Sequence, residues 1–253
     1  MLEPSTKMLL AVALLRFHQI DALSLTFRPG QKKRLAVLGY SCLATLLRTD
    51  PTNYGKFLEQ PCKNVAQELT SLPSDSELKE LLQAFQKSKF GFALIEGRNE
   101  AGGLASLRDL LGLYVNGVLS CGLTIGKVAS PIFTLPGKAT LKDTLREMFD
   151  RRFRRIFVAG SNVVISDRQI IGYIFSTTKL KEIAGAPKTM LDATLDRFER
   201  FEAKKASASM SIKVAASLMK DQIEECLICE KGVVTPWDLI MKPFEANQVK
   251  IKK

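Results

Sequence analysis

The feature that most restricts how these 253 residues can fold is a unit that recurs four times, at intervals of about sixty to seventy residues. An apolar helical stripe at i, i+3, i+4, i+7 runs through Met8, Ala11, Val12 and Leu15, through Leu78, Leu81, Leu82 and Phe85, and through Ile212, Ala215, Ala216 and Met219. Leu141, Leu145 and Met148, with Thr144, form a fourth. Ser5, Ser76, Thr140 and Ser211 stand before the stripes as candidate helix caps. After each stripe comes a short run of strand type: Ala22 to Phe27, Phe92 to Ile95, Ile156 to Val158 and Cys226 to Cys229. A second strand-type run then ends at Gly39, Gly103, Gly172 or Gly232. Each unit therefore predicts helix, strand, turn, strand, glycine, helix. The second and third add a leading strand in Val65 to Leu72 and Val128 to Leu135, whereas the first and fourth show none. Pro187 to Lys205 predicts a linking helix with Leu191, Leu195, Phe198 and Phe201 on one face, and Asp50 to Pro61 is a turn-rich connector. The repeats divide two and two near Gly117 to Gly126.

Composition narrows the function classes. The chain is 46% apolar and 25% charged, as in an ordinary folded domain. Its longest apolar run, Met8 to Leu15, falls well short of the ~20 residues of a membrane span. Arg16, His18 and Asp21 follow that run with no small-residue cleavage pattern, so no membrane association and a cytoplasmic location are expected. Cys42, Cys62, Cys121, Cys226 and Cys229 are odd in number and scattered, which predicts reduced thiols. His18 is the only histidine, which disfavours histidine-rich metal sites and imidazole relays. The net charge of +11 lies mostly after Gly122 and favours anionic partners, nucleic acid or nucleotide phosphate alike.

Two of the glycines open the same pattern, Gly103-Leu-Ala-Ser106-Leu-Arg-Asp109 and Gly232-Val-Val-Thr235-Pro-Trp-Asp238, both G-x-x-[ST]-x-x-D. The glycine allows a close approach to the backbone, and the hydroxyl residue sits where a helix begins, with free amides and the positive dipole end outward. Phosphate suits that position. Three residues on, the carboxylate lies on the same face and can accept from both hydroxyls of a ribose. The same spacing is also a plain capping box, and Pro236 is an ordinary helix-start residue; repetition behind a strand and a glycine is what favours a site.

These turns, with the openings Ser71-Leu-Pro-Ser74 and Thr134-Leu-Pro-Gly137, resemble the cystathionine-beta-synthase (CBS) domain. The resemblance implies an α/β fold of four CBS-type β-α-β-β-α repeats in two Bateman modules. The modules span 1–120 (repeats about 1–55 and 56–120) and 121–253 (repeats about 121–186 and 187–253). It implies a regulatory protein, not an enzyme, that binds AMP, ADP or ATP in clefts between paired repeats. Gly103, Ser106 and Asp109, and Gly232, Thr235 and Asp238, would hold the ligand, with hydroxyl on phosphate and carboxylate on ribose. No catalytic residue, metal or cofactor is implied beyond the nucleotide itself. An unidentified protein partner would read the signal, and either a monomeric disc or a homodimer fits. Gly39-Tyr-Ser-Cys42-Leu-Ala-Thr45 and Gly172-Tyr-Ile-Phe175-Ser-Thr-Thr178 lack both the aspartate and the hydroxyl at the third step, so at most one well-formed site per module is expected.

Two further features have competing readings. Cys226-Leu-Ile-Cys229 has metal-ligand spacing but no second pair, which favours two buried small side chains. Arg151-Arg-Phe-Arg-Arg155 is either a solvated helix end or an anion patch, and Gln31 to Arg34 and Lys250 to Lys253 add basic surface. The alternative function is therefore a nucleic-acid-associated protein using the repeats as a scaffold, although no base-reading motif accompanies the charge.

Overall fold

The computed structural model describes residues 1–26, 34–97, 103–176, 178–180, 187–222 and 224–252. The first repeat comprises α1 (Met8–Phe17), β1 (Ala22–Ser24), β2 (Leu35–Leu38), α2 (Gly39–Arg48), α3 (Tyr54–Glu59) and β3 (Gln67–Glu68). The second comprises β4 (Ser71–Pro73), α4 (Leu78–Ser88), β5 (Phe92–Glu96), β6 (Gly103–Ser106) and α5 (Leu107–Val115), followed by β7 (Leu119–Ser120) and the short α6 (Ile125–Val128). The third contains β8 (Thr134–Leu135), α7 (Leu141–Arg151), β9 (Arg155–Val158), β10 (Val163–Ser166) and α8 (Asp167–Ile174). After β11 (Phe201–Glu202), the fourth contains β12 (Lys204–Lys205), α9 (Ile212–Lys220), β13 (Leu227–Cys229), β14 (Gly232–Val234), α10 (Pro236–Glu245) and β15 (Lys250–Ile251).

The apolar stripes form helices because each puts its large side chains on one face, which burial then rewards. All four stripe residues are buried in α1, in α7 and in α9. In α4, Leu82 and Phe85 are buried and Leu78 and Leu81 pack against the same core. Each repeat sets a hairpin beside its helices: β1 against β2, β5 against β6, β9 against β10 and β13 against β14, all antiparallel. A leading strand runs parallel to the first hairpin strand in repeats two, three and four, through β4, β8 and β12.

Contacts gather the chain into two compact units, Met1–Leu69 with Thr134–Arg200 and Thr70–Phe133 with Phe201–Lys253. Each unit takes one repeat from either half of the chain. This grouping by contact alternates along the sequence, whereas the modules 1–120 and 121–253 group repeats by adjacency. In the first unit, Leu15, Leu43, Leu145, Ile165 and Ile170 are fully buried, Phe57 stacks on Phe175 at 6.4 Å and Tyr40 meets Phe149 edge-on at 4.6 Å. In the second, α5 packs on α9 and α10, and Phe85, Leu111, Tyr114, Ile212, Met219 and Leu239 share one core.

Several local expectations are corrected. Gly172 does not end a strand but lies inside α8, because the helix starts at Ser166, where Ser166 and Gln169 cap each other. The β-branched run Ile170-Ile171 imitates a strand, but the cap and burial on one face make it helical. At Gly39 the expectation holds, since β2 runs up to it and α2 opens on it, whereas Gly103 and Gly232 begin their strands instead of ending them. Gly39 is small because its α-carbon faces Ile171, 2.3 Å from where a Cβ would stand.

The caps of α1 and α4 are Lys7 and Glu77 rather than Ser5 and Ser76, and the Glu77 amide donates to Glu80 Oε2 at 2.9 Å. The fourth repeat has a leading strand after all, β12, and the first has a single parallel bridge from Leu2 to Leu25. Val128 ends α6 instead of starting a strand. Pro187 to Lys205 is not a helix: it forms 3-10 turns at Pro187–Asp192 and Leu195–Arg197 and the strands β11 and β12, with Leu191, Leu195 and Phe198 buried. Phe27, Gln31 to Lys33, Thr177 and Lys253 lie outside the described residues.

Candidate functional site

Strand β6 delivers the second-repeat motif straight into α5. Ser106 keeps extended backbone at the cap, and the Asp109 carboxylate reaches back over the first turn. Its Oδ2 accepts from the Ser106 amide at 2.8 Å and from Ser106 Oγ at 2.7 Å. Asp109 is exposed, and its Oδ1 accepts from none of the described residues. Among the described residues, a Cβ on Gly103 would meet nothing within 4 Å. The turn thus sets an exposed carboxylate residue and a half-buried hydroxyl residue at a helix start. At its rim Arg108 Nη1 lies 2.8 Å from Oε1 of Glu225, whose side chain is 5% exposed.

The fourth repeat repeats that geometry and then departs from it. Asp238 Oδ2 accepts from the Thr235 amide at 2.8 Å and from Thr235 Oγ1 at 2.7 Å, as in the second repeat. Its other oxygen is also taken: Oδ1 accepts from Ser130 Oγ at 2.6 Å and lies 2.9 Å from Lys242 Nζ. Lys242 Nζ donates in addition to the Val128 carbonyl at 2.6 Å and to Ser130 Oγ at 2.8 Å. The Asp238 side chain is left 4% exposed. Ser130 is held there by its backbone, which exchanges two 2.8 Å bonds with Val233. Gly232 has φ of +137°, and a Cβ on it would stand 2.1 Å from the Ser130 carbonyl oxygen. The close approach that the glycine permits is made by the chain itself.

The first and third repeats carry no equivalent carboxylate. At the matching positions stand Leu38 and Ser41 in the first and Ser166 and Gln169 in the third. The arginine run is not a free anion patch. Arg151 Nε donates to Glu147 at 2.7 Å, and Arg152 is the left-handed C-cap of α7 with φ of 58°. Arg154 Nε donates to Asp167 at 2.8 Å and its Nη2 lies 3.3 Å from Asp21. Arg168 grips Asp21 with both Nε and Nη2 at 3.0 Å. Burial alone raises the Asp21 carboxyl pKa, but Arg154 and Arg168 outweigh it and hold the group below the usual carboxylate range. Lys250 and Ile251 pair with β7 as an antiparallel strand.

Cys226 and Cys229 are buried free thiols, and among the described residues no three His, Cys, Asp or Glu side chains cluster as a metal site. Among those residues no helix is long and apolar enough to cross a membrane. Sequence reasoning missed Ser130, Lys242, Glu225 and the Asp21 network. Only Lys242, one helical turn after Asp238, had a local signal.

A hairpin with flanking helices, repeated four times, and in the second, third and fourth repeats a parallel leading strand and a side-chain-capped helix start after the second hairpin strand, is the arrangement of the tandem CBS-domain fold. Among solved structures the chain is similar to protein MJ1225 of Methanocaldococcus jannaschii, named as a proposed archaeal homologue of g-AMPK. That match has TM-score 0.81 and 17% identity, and covers 96% of this chain and 95% of that one. It is also similar to an uncharacterised conserved protein of Pyrococcus horikoshii, with TM-score 0.51, 13% identity and 87% and 89% coverage. A CBS domain protein of Pyrobaculum aerophilum complexed with AMP matches 43% of this chain and 80% of its own, at 18% identity and TM-score 0.36. No family model matches the sequence, and no curated protein matches it.

Proposed function

We propose that the chain is a regulatory ligand sensor that binds adenine nucleotides, AMP, ADP or ATP, at its G-x-x-[ST]-x-x-D turns. The observation that carries this reading is the turn of the second repeat, where the exposed Asp109, with one carboxylate oxygen not used by the motif, stands with Ser106 Oγ at the start of α5. Ser106 and the first amides of α5 suit a phosphate, and Asp109 suits the ribose diol. Gly103 gives the ligand room beside the backbone. Thr235 and Asp238, behind Gly232, form the corresponding pair in the fourth repeat. The reading keeps one such turn in each of the modules 1–120 and 121–253.

The role is binding without a chemical step. Neither turn pairs its hydroxyl with a histidine or lysine base; each hydroxyl is bonded to the aspartate of its own motif. Signalling follows from differential affinity: a nucleotide that binds one arrangement of the chain better shifts the population toward it, and a partner protein reads the shift. Thermal denaturation of nucleotide-stripped protein with AMP, ADP, ATP and inorganic phosphate tests this. A saturable rise in melting temperature with at least one adenine nucleotide, absent with phosphate alone, is expected. No rise with any of the three nucleotides would overturn the reading.

A further inference from the structure

The two G-x-x-[ST]-x-x-D turns lie in one compact unit and share their inner geometry, yet their carboxylates are in opposite states. Asp109 is an exposed residue that uses one oxygen internally, and its other oxygen accepts from none of the described residues. Asp238 has both oxygens engaged, by four donors: the Thr235 amide, Thr235 Oγ1, Ser130 Oγ and Lys242 Nζ. Only the first two belong to the motif. Ser130 and Lys242 come from outside it, and they form a closed chain of their own, since Ser130 Oγ accepts from Lys242 and donates to Asp238. The glycines repeat the contrast among the described residues, with nothing within 4 Å of a Cβ on Gly103 and the Ser130 carbonyl pressed against Gly232.

The geometry points to an intramolecular latch: Ser130 and Lys242 occupy the polar position that a ligand diol would take on Asp238, so that the fourth-repeat site opens only when they let go. This rests on the nucleotide reading above and adds to it an order of binding, with the second repeat filled first and the fourth held in reserve. Lys242 suits the role because its side chain is 36% exposed, so its ammonium can leave Asp238 for water without crossing the core. Charge-assisted bonds of the kind it makes shift an equilibrium by roughly tenfold to a hundredfold each.

The test is calorimetric titration of the full, nucleotide-stripped chain with AMP, ADP and ATP. Wild type reports the second-repeat site by itself, and one site per chain is expected. The Asp109→Ala background removes that site and leaves the latched one, for which binding at least tenfold weaker is expected. Adding Lys242→Met, or separately Ser130→Ala, should recover affinity by about tenfold or more, and a further Asp238→Ala should abolish the recovery. Melting curves identify the folded variants, and the two latch variants act on different residues, so one suffices if the other does not fold.

The latch is overturned if Asp109→Ala alone retains a site as tight as that of wild type. It is equally overturned if a folded latch variant binds no more tightly than its background, or less tightly, which would make Lys242 a ligand contact. Failure of the nucleotide reading looks different. Wild type would then bind nothing; silence in the latch variants too removes the latch with it, whereas binding there would keep the latch and refute the Asp109 site.

Discussion

Replacing Asp21 by Asn should destabilise the first unit by an amount that depends on pH in one direction only. Asp21 accepts a two-point grip from Arg168, whose side chain is 11% exposed, and a longer contact from Arg154, which is 32% exposed. Breaking a fully buried ion pair costs about 3–5 kcal/mol; with Asp21 itself 18% exposed and Arg154 keeping Asp167, we expect about 2–4 kcal/mol at pH 7. The folded pKa lies below the unfolded value of about 3.9, so the carboxylate stabilises the fold fully above that value. It loses this contribution as pH falls toward the folded one. Urea denaturation of wild type and variant in parallel should thus give a constant gap from pH 7 to about pH 5. Below about pH 4 the gap should narrow, by at most about 1.4 kcal/mol per pH unit. A gap under about 1 kcal/mol at pH 7, or one that stays constant down to pH 3, would refute the reasoning.

Other substitutions separate the two turns and the core. Gly232→Ala must place a side chain at φ of +137° against the Ser130 carbonyl and should cost at least about 2 kcal/mol, while Gly103→Ala, whose Cβ would meet none of the described residues within 4 Å, should stay within about 1 kcal/mol of wild type by the same denaturation assay. Phe85→Ala, fully buried in the second unit, should lose about 3–5 kcal/mol. Asp109→Ala removes only a helix cap from the free protein, so its melting temperature should fall by the equivalent of about 1 kcal/mol, a loss too small to explain any failure to bind ligand.

The parts of the fold legible in the sequence are those set by local pattern. Helix stripes such as Met8, Ala11, Val12 and Leu15 bury as spacing predicts, because one apolar face is enough to orient a helix. The hairpins around Phe92 and Leu227 follow for the same reason. The phase of the third repeat was not legible from its glycine, since Gly172 tells nothing once Ser166 and Gln169 cap the helix six residues earlier. A search for S-x-x-Q boxes would have found it. At the candidate site, Ser106, Asp109, Thr235 and Asp238 could be read from spacing, and the structure does bring each pair within hydrogen-bond reach. The difference between the turns could not, because Ser130 lies 108 residues from Asp238 in sequence and joins it only through a β-bridge to Val233. Asp21 is hidden similarly, 147 residues from Arg168.

The account stands or falls on whether the Gly103 to Asp109 turn holds a nucleotide. Equilibrium dialysis of stripped wild type and Asp109→Ala against radiolabelled AMP and ATP measures that directly. Saturable binding of at least one nucleotide by wild type, weakened at least tenfold in a variant that still melts cooperatively, is the predicted result. Wild-type binding that Asp109→Ala leaves intact, or none in either protein, would contradict it.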